Sequence, residues 1–448
     1  MKQQYHFPEN LYSDIRIQES YSTNLGMYNG ELTRDNATSN VGALVRVYDG
    51  KLWYTSSVND LEKIQDELDA LAKLATPNEN IYEDPAIKLL EVNVDERLQY
   101  TGEKFLGNIA RSRFLTVLNH YVDACIDPEY PDMTSWSISV GGDYEKKSFY
   151  SSKGCAVAWD YQLCSLNVYM SFGNNGEPMG GGKNFFGMMP EDLYGHEQEF
   201  LSERDRLVDY IANAVDVEPG EYTCILSPIT TAMFAHESFG HKSEADFMLN
   251  DKTLRDEWVM GKKVGSELVS ICDSGDMPNH GYVPYDDEGT RARENWLIKE
   301  GVLTGRLHDS NSAAVLGEEL TGNSRAQDYR MRPLVRMTNT FMKGGTDSFD
   351  DIIADTKDGI YVYMVSNGTG NSTFVLNPVI CYRIRDGKIC EPLRVRMVTG
   401  SVFQTLFDID RVGSDFELFD TYYCGKLGQG ARVSAGGPTI RVKKLQVS

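Results

Sequence analysis

The chain of 448 residues predicts an α+β fold, and three patterns carry that reading. Period-two alternation opens the chain, and amphipathic helical runs are spread through its first half. From Glu221 onward, turn residues punctuate one strand-like run after another. Helical and strand runs do not alternate in the regular way that βαβ units require. The expected architecture is an N-terminal α/β region with antiparallel strands and helices. A C-terminal domain dominated by antiparallel β-sheet and carrying one functional helix follows it. The predicted boundaries give a strand-hairpin-helix region over 1–80, a middle α+β region over 81–220 and the C-terminal domain over 221–448.

In chain order, Asp14-Ile-Arg-Ile-Gln and Ala43-Leu-Val-Arg-Val-Tyr48 alternate, and Asp49-Gly50 is a turn signal before Lys51-Leu-Trp-Tyr-Thr55, which predicts a hairpin. A helix capped by Asn59 or Asp60 follows, with Leu61, Ile64, Leu68, Leu71 and Leu74 on one face. Thr76-Pro-Asn-Glu-Asn80 breaks it. Glu103 to Ile126 reads as helix through Leu106, Ile109 and Phe114, and Phe149 to Ser171 reads as strand. Gly180-Gly-Gly182 reads as a loop, because neither a Gly-Lys-Ser/Thr pattern nor dinucleotide-fold spacing accompanies it. Gln198 to Val215 reads as a helix with Phe200, Leu207, Ile211 and Val215 on one face, and Thr231 to Leu249 as the one helical stretch of the C-terminal part.

Composition narrows the function classes. With 44 Lys+Arg against 66 Asp+Glu the net charge is −22, which argues against a general nucleic-acid binder, since phosphate contacts need clustered cations. No run reaches the roughly 18 apolar residues of a membrane span; the best, Cys224 to Ala235, is short and broken by Ser227, Pro228, Thr230 and Thr231. The N-terminus shows no apolar signal region, and eight cysteines without a Cys-x-x-Cys pair make no disulfide scaffold. The expectation is a cytoplasmic protein whose cysteines are mostly buried thiols.

Chemistry concentrates in His236-Glu-Ser-Phe-Gly-His241. Zinc peptidases of the ordinary kind place two histidines at i and i+4 of one helix. Here the spacing is i and i+5, which on a regular α-helix leaves the side chains about 140° apart. A single π-turn closes that angle to roughly 50°, and Gly240 would ease the distortion. The expected metal site therefore uses His236 and His241, with Glu237 beside the first histidine as the acid-base group. For a third ligand, Glu244 and Asp246 are within local reach.

His236-Glu-Ser-Phe-Gly-His241-Lys-Ser-Glu-Ala-Asp-Phe247 resembles the metallopeptidase motif of the TldD/PmbA family, whose members often carry the label of DNA gyrase modulators. The likeness continues through Asp286-Asp-Glu-Gly-Thr290, Thr321-Gly-Asn323, Arg336-Met-Thr-Asn-Thr-Phe-Met342, Gly359-Ile-Tyr361 and Cys424-Gly-Lys-Leu-Gly-Gln429, in order across roughly half the chain. The resemblance implies that Cys424 joins His236 and His241 on one Zn²⁺ per chain. The site would be catalytic, as in the TldD branch. It also implies hydrolysis of short or unfolded peptides by a zinc-activated water with Glu237 as general base. The assembly would be a homodimer, or a heterodimer with a PmbA-like subunit. A second reading is a non-catalytic binding or partner subunit with a structural or vestigial metal site. The chain departs from the family at its start, where Asp14-Ile-Arg arrives without a preceding helix.

Other residues read more plainly. His280 sits in a turn and is expected to be exposed, His120 to be structural in its helix, and His308 to be structural rather than substrate-facing. Arg336 and Asn339 are candidates for positioning a peptide or for a purely structural role. Tyr422, Tyr423 and Lys426 flank Cys424 and are candidate oxyanion donors by proximity alone. Cys155, Cys164 and Cys224 read as core.

Overall fold

The computed structural model describes residues 5–127, 129–173, 179–370 and 372–448, without the side chains of Thr421 and Tyr422. It is an α+β protein in two compact units. One comprises the residues up to Asp84, Val92–Ala212 and Asp328–Met331; the other comprises Pro85–Glu91, Asn213–Gln327 and Arg332–Ser448.

The first unit is built on an antiparallel sheet. β1 (Tyr12–Tyr28), β2 (Glu31–Tyr48) and β3 (Trp53–Val58) form a meander, and β4 (Met133–Ser151), β5 (Ala156–Phe172) and β6 (Met179–Gly187) extend it in the order β3-β2-β1-β4-β5-β6. The short strand Val94–Arg97 runs parallel to the start of β5. Asp49 makes the β2–β3 turn, accepting from the amides of Lys51 and Leu52, while Gly50 takes φ +93°. Helix α1 (Ile64–Leu74) follows a short turn capped by Asp60, and its Ile64, Leu68 and Leu71 pack on Ile15, Ala43, Val45 and Val47. Leu74, assigned to the same face by periodicity, is 66% exposed at the helix end.

Several expectations shift here. Helix α2 (Arg111–Cys125) begins eight residues later than Glu103, because Gly102 takes φ +59° and Ala110 is extended. Leu106 and Ile109 still enter the core, but from a tight turn whose Leu106 amide donates to Gln162 Oε1 at 2.8 Å. The Phe149–Ser171 run is two strands, split at a turn where Gly154 takes φ +97°. Gly180–Gly182 is strand, not loop. A Cβ on Gly182 would lie 2.0 Å from the Val168 carbonyl oxygen, so glycine is what lets β6 approach β5. Helix α3 (Glu197–Asn213) buries Phe200 and Leu207, and Val215 lies beyond it, exposed in a two-residue strand.

The second unit holds two larger sheets. β7 (Gly220–Leu226) leads into helix α4 (Pro228–Ala235). β8 (Ile271–Ser274), β9 (Glu294–Lys299), β10 (Asn339–Met342), β13 (Glu417–Lys426) and β14 (Gln429–Gly437) form one sheet in the order β9-β8-β10-β14-β13. β11 (Asp358–Gly370), β12 (Thr373–Arg385) and β15 (Ile440–Val447) belong to the other. There β7 lies between β11 and β15, and Val398–Ser401 links β15 to β12. β11 also pairs with β12, so that sheet closes on itself as a barrel. Closure removes free edges. Most pairings are antiparallel; β11–β7, β10–β14 and the short pairing of Val215–Asp216 with Leu393–Arg394 are parallel.

Candidate metal centre

Helix α4 is started by sequence features that need no tertiary help. Ser227 caps it by accepting from the Thr230 amide, and Pro228 occupies its first turn. Its residues Thr230–Ala235 are all buried, and it touches both β11 of the barrel and β14 of the other sheet. After Ala235 the helix widens into one π-turn, His236–Gly240, in which the His241 amide donates to the His236 carbonyl. The extra residue per turn brings the two rings together, with centroids 5.2 Å apart and planes at 82°. Gly240 makes room for Met337: a Cβ there would sit 1.9 Å from the Met337 sulfur and would have to displace that buried side chain.

Cys424 arrives from β13, three residues before the tight turn Leu427–Gly428 into β14, where both residues take positive φ. Its Sγ lies 3.3 Å from His241 Nε2. One donor atom from each of His236, His241 and Cys424 falls within 4.8 Å of the others. The three residues, with Glu237, line a cavity of about 330 Å³ whose other walls include Met233, Ser366, Gly368, Tyr423 and Gly425.

The electrostatics fit a cation among the three donors. Burial, with the charges of His241 and Arg336, pushes the His236 imidazole down to about 3, so it is neutral, the form that ligates metals. Its Nδ1 is buried without a hydrogen-bond partner. His241 goes the other way: burial would lower it, but hydrogen bonds and charge from Cys424 and Glu244 hold it up to about 10. That field draws positive charge to the space between His241 and Cys424, a demand that a metal ion meets as well as a proton does. Two imidazole nitrogens and one sulfur are a donor set that suits zinc.

Glu244 stands elsewhere than its spacing predicted. Its Oε2 lies 3.3 Å from His241 Nδ1 and accepts from Lys426 Nζ at 3.1 Å. The carboxylate thereby orients the imidazole and leaves Nε2 for Cys424's side. Asp246 also turns to Lys426, at 2.7 Å. The Lys426 ammonium donates to Glu244, Asp246 and the Val335 carbonyl, so its three donors are occupied and it is no oxyanion donor. Tyr423 lines the cavity and is 63% exposed, whereas the side chain of Tyr422 lies outside the described residues.

His280 is buried, against the expectation for a turn. Its amide donates to Asp420, its carbonyl accepts from Arg432, and its ring meets Tyr423 edge-on at 5.0 Å. His308 is buried between Ser312 Oγ and Glu318 Oε2, and His120 pairs with Glu197 in the first unit. Neither Arg336 nor Asn339 lines the cavity; both are fully buried and bonded to main-chain carbonyls. Cys155, Cys164 and Cys224 are buried thiols as expected. Sequence reasoning passed over the cavity wall at Ser366–Gly368. The signal was present: Gly368 and Gly370 inside a strand pattern mark a close backbone approach. A Cβ on Gly370 would lie 2.7 Å from the Glu237 carbonyl oxygen.

Two histidines and a cysteine converging at a cavity beside an acid are a group that could hold a metal ion on an α+β scaffold. The comparisons name the family. Residues 219–448 match the model of the PmbA/TldA metallopeptidase C-terminal domain, and residues 13–76 match that of its domain 1. A metalloprotease of Methanocaldococcus jannaschii is 30% identical over 442 residues, covering 96% of this chain and 95% of its own. A zinc metalloprotease TldD homolog of Saccharolobus solfataricus is 32% identical over 334 residues, covering 73% and 74%. The chain belongs to the TldD/PmbA family. Among solved structures, TldE from Thermococcus kodakarensis superposes with a TM-score of 0.76 at 17% identity, covering 98% of this chain and 96% of that one. A candidate modulator of a DNA gyrase from Thermotoga maritima gives 0.77 at 18% over the same shares. These two show the shared fold.

Proposed function

We propose that the chain is a zinc-dependent peptidase acting on short or unfolded peptides, with His236, His241 and Cys424 holding the metal and Glu237 as general base. The observation that carries this reading is the convergence of three donor atoms within 4.8 Å on a cavity that Glu237 also lines. One zinc per chain is expected, and three protein ligands leave a coordination position open. When bound, zinc supplies Lewis acidity, polarising a carbonyl and easing the deprotonation of water. Glu237 accepts that proton at its carboxylate and returns it to the departing amine. Burial raises the Glu237 carboxyl above its ordinary value, against the opposing charge of His241, which suits a group that must take up and release a proton. An extended peptide would lie along the Ser366–Gly368 stretch of β11, beyond the Ile360–Val362 segment that pairs with β7, in sequence-tolerant, strand-like fashion.

A dimer, of two copies or with a PmbA-like subunit, is part of the same reading. So is a cytoplasmic setting: all eight cysteines are free thiols, and no described helix is long and apolar enough to cross a membrane. The test is elemental analysis and hydrolysis of an unfolded peptide on wild type and Glu237→Gln. Both should hold about one zinc per chain, with turnover confined to wild type. Turnover by Glu237→Gln at the wild-type rate would remove Glu237 from the mechanism. Zinc without turnover, even with a PmbA-like subunit added, would favour a non-catalytic partner subunit with a structural site.

A further inference from the structure

We infer that Arg336 is the positioning residue for Cys424, and that Val335–Met337 forms a buried strut fixing all parts of the donor cluster; the inference rests on the zinc reading above. Arg336 is fully buried, and no carboxylate pairs with it among the described residues. Its terminal nitrogens donate instead to the carbonyls of Cys424 and Gln429, and its Nε has no partner. Those carbonyls stand on opposite sides of the β13–β14 turn. The two strands already pair through their own backbone, so their fold does not by itself call for a buried cation.

A guanidinium buried on neutral acceptors alone is costly, and its residence here points to a function. Its planar fork presents two nitrogens in fixed relative geometry to the two oxygens, where a Lys ammonium is a single point charge on a flexible stem. Holding the Cys424 carbonyl fixes that residue's backbone, and with it the direction of the Sγ that lies 3.3 Å from His241 Nε2.

The flanking residues address the rest of the site. The Val335 carbonyl accepts from Lys426 Nζ at 2.9 Å, and Lys426 in turn holds the Glu244 carboxylate that orients His241. The Met337 sulfur fills the place where a Cβ on Gly240 would lie, seating the π-turn that carries both histidines. Three consecutive side chains or carbonyls thus grip the hairpin, the orienting carboxylate and the π-turn. The segment's purpose is construction of the centre from within rather than contact with peptide.

Cobalt(II) substitution tests this, since a sulfur ligand gives an intense near-ultraviolet charge-transfer band. Wild type should show the band and Cys424→Ala should lack it. Arg336→Lys should lose most of it and release zinc to a chelator about 10- to 100-fold faster, with unchanged far-ultraviolet circular dichroism. A full-strength band and a wild-type release rate in Arg336→Lys would overturn the inference while leaving the zinc reading intact. A wild type without the band would instead remove Cys424 from the ligand set, and the inference with it. If Arg336→Lys does not fold, hydrogen exchange on wild type decides. The amides of Cys424 and Ala431 should stay equally protected with and without zinc; a hairpin that loses protection when zinc is stripped would overturn the clamp.

Discussion

At the scale of single residues, the site is defined by how each polar group is spent. Glu244 divides one carboxylate oxygen between His241 and Lys426, so its role is orientation. Glu244→Gln should therefore weaken zinc binding about 10- to 100-fold in a chelator competition, without abolishing it. Glu318 is a second case with a pH signature. Burial alone would raise its carboxyl, but the His308 hydrogen bond and Arg306 outweigh that and hold it below 4.5. A depressed carboxylate contributes stability that is present above its unfolded value and lost as pH falls through the folded value. The stability gap between wild type and Glu318→Gln should thus be constant above about pH 5 and shrink below it, as denaturant titrations across that range would show. The candidate pair His236 and His241 was legible in the sequence because few residues can do their chemistry, whereas Cys424, 183 positions beyond His241, came only through the family resemblance. The duties of Lys426 and Arg336 were not legible, since their partners lie 182 and 93 positions away along the chain.

At the scale of elements, the i, i+5 histidine spacing demanded a π-turn, and the chain forms one over His236–Gly240. Gly240→Ala should collide with Met337 and cost about 1–3 kcal/mol, seen as a lower melting temperature together with faster zinc loss. The Asp49-Gly50 signal gave the β2–β3 hairpin correctly, because an Asx turn is local chemistry. Asp49→Ala removes both side-chain acceptors and should cost on the order of 1 kcal/mol in chemical denaturation. Boundaries failed where tertiary packing outvoted local pattern. Leu106 and Ile109 have helical spacing to Phe114, yet they reach the core from a turn tied to Gln162. The Gly180–Gly182 stretch has loop composition, yet it is strand, and glycine at 182 lets β6 lie against the Val168 carbonyl.

At the scale of the whole molecule, the α+β class was legible from periodicity, but the closed sheet was not. β7 pairs with strands that begin more than 130 residues later, a non-local arrangement that no window of sequence exposes. Net charge acts at this scale too. At −22 the chain should show no salt-sensitive association with duplex DNA in fluorescence anisotropy, because it has no excess of cations to release counterions. The central claim is that two imidazoles and one thiolate hold zinc beside Glu237. X-ray absorption at the zinc edge of the wild-type protein reads that ligand set directly. The expected shell is one sulfur at about 2.3 Å with nitrogens at about 2.0–2.1 Å. A shell of nitrogen and oxygen alone would contradict the claim and move the third ligand from Cys424 to a carboxylate.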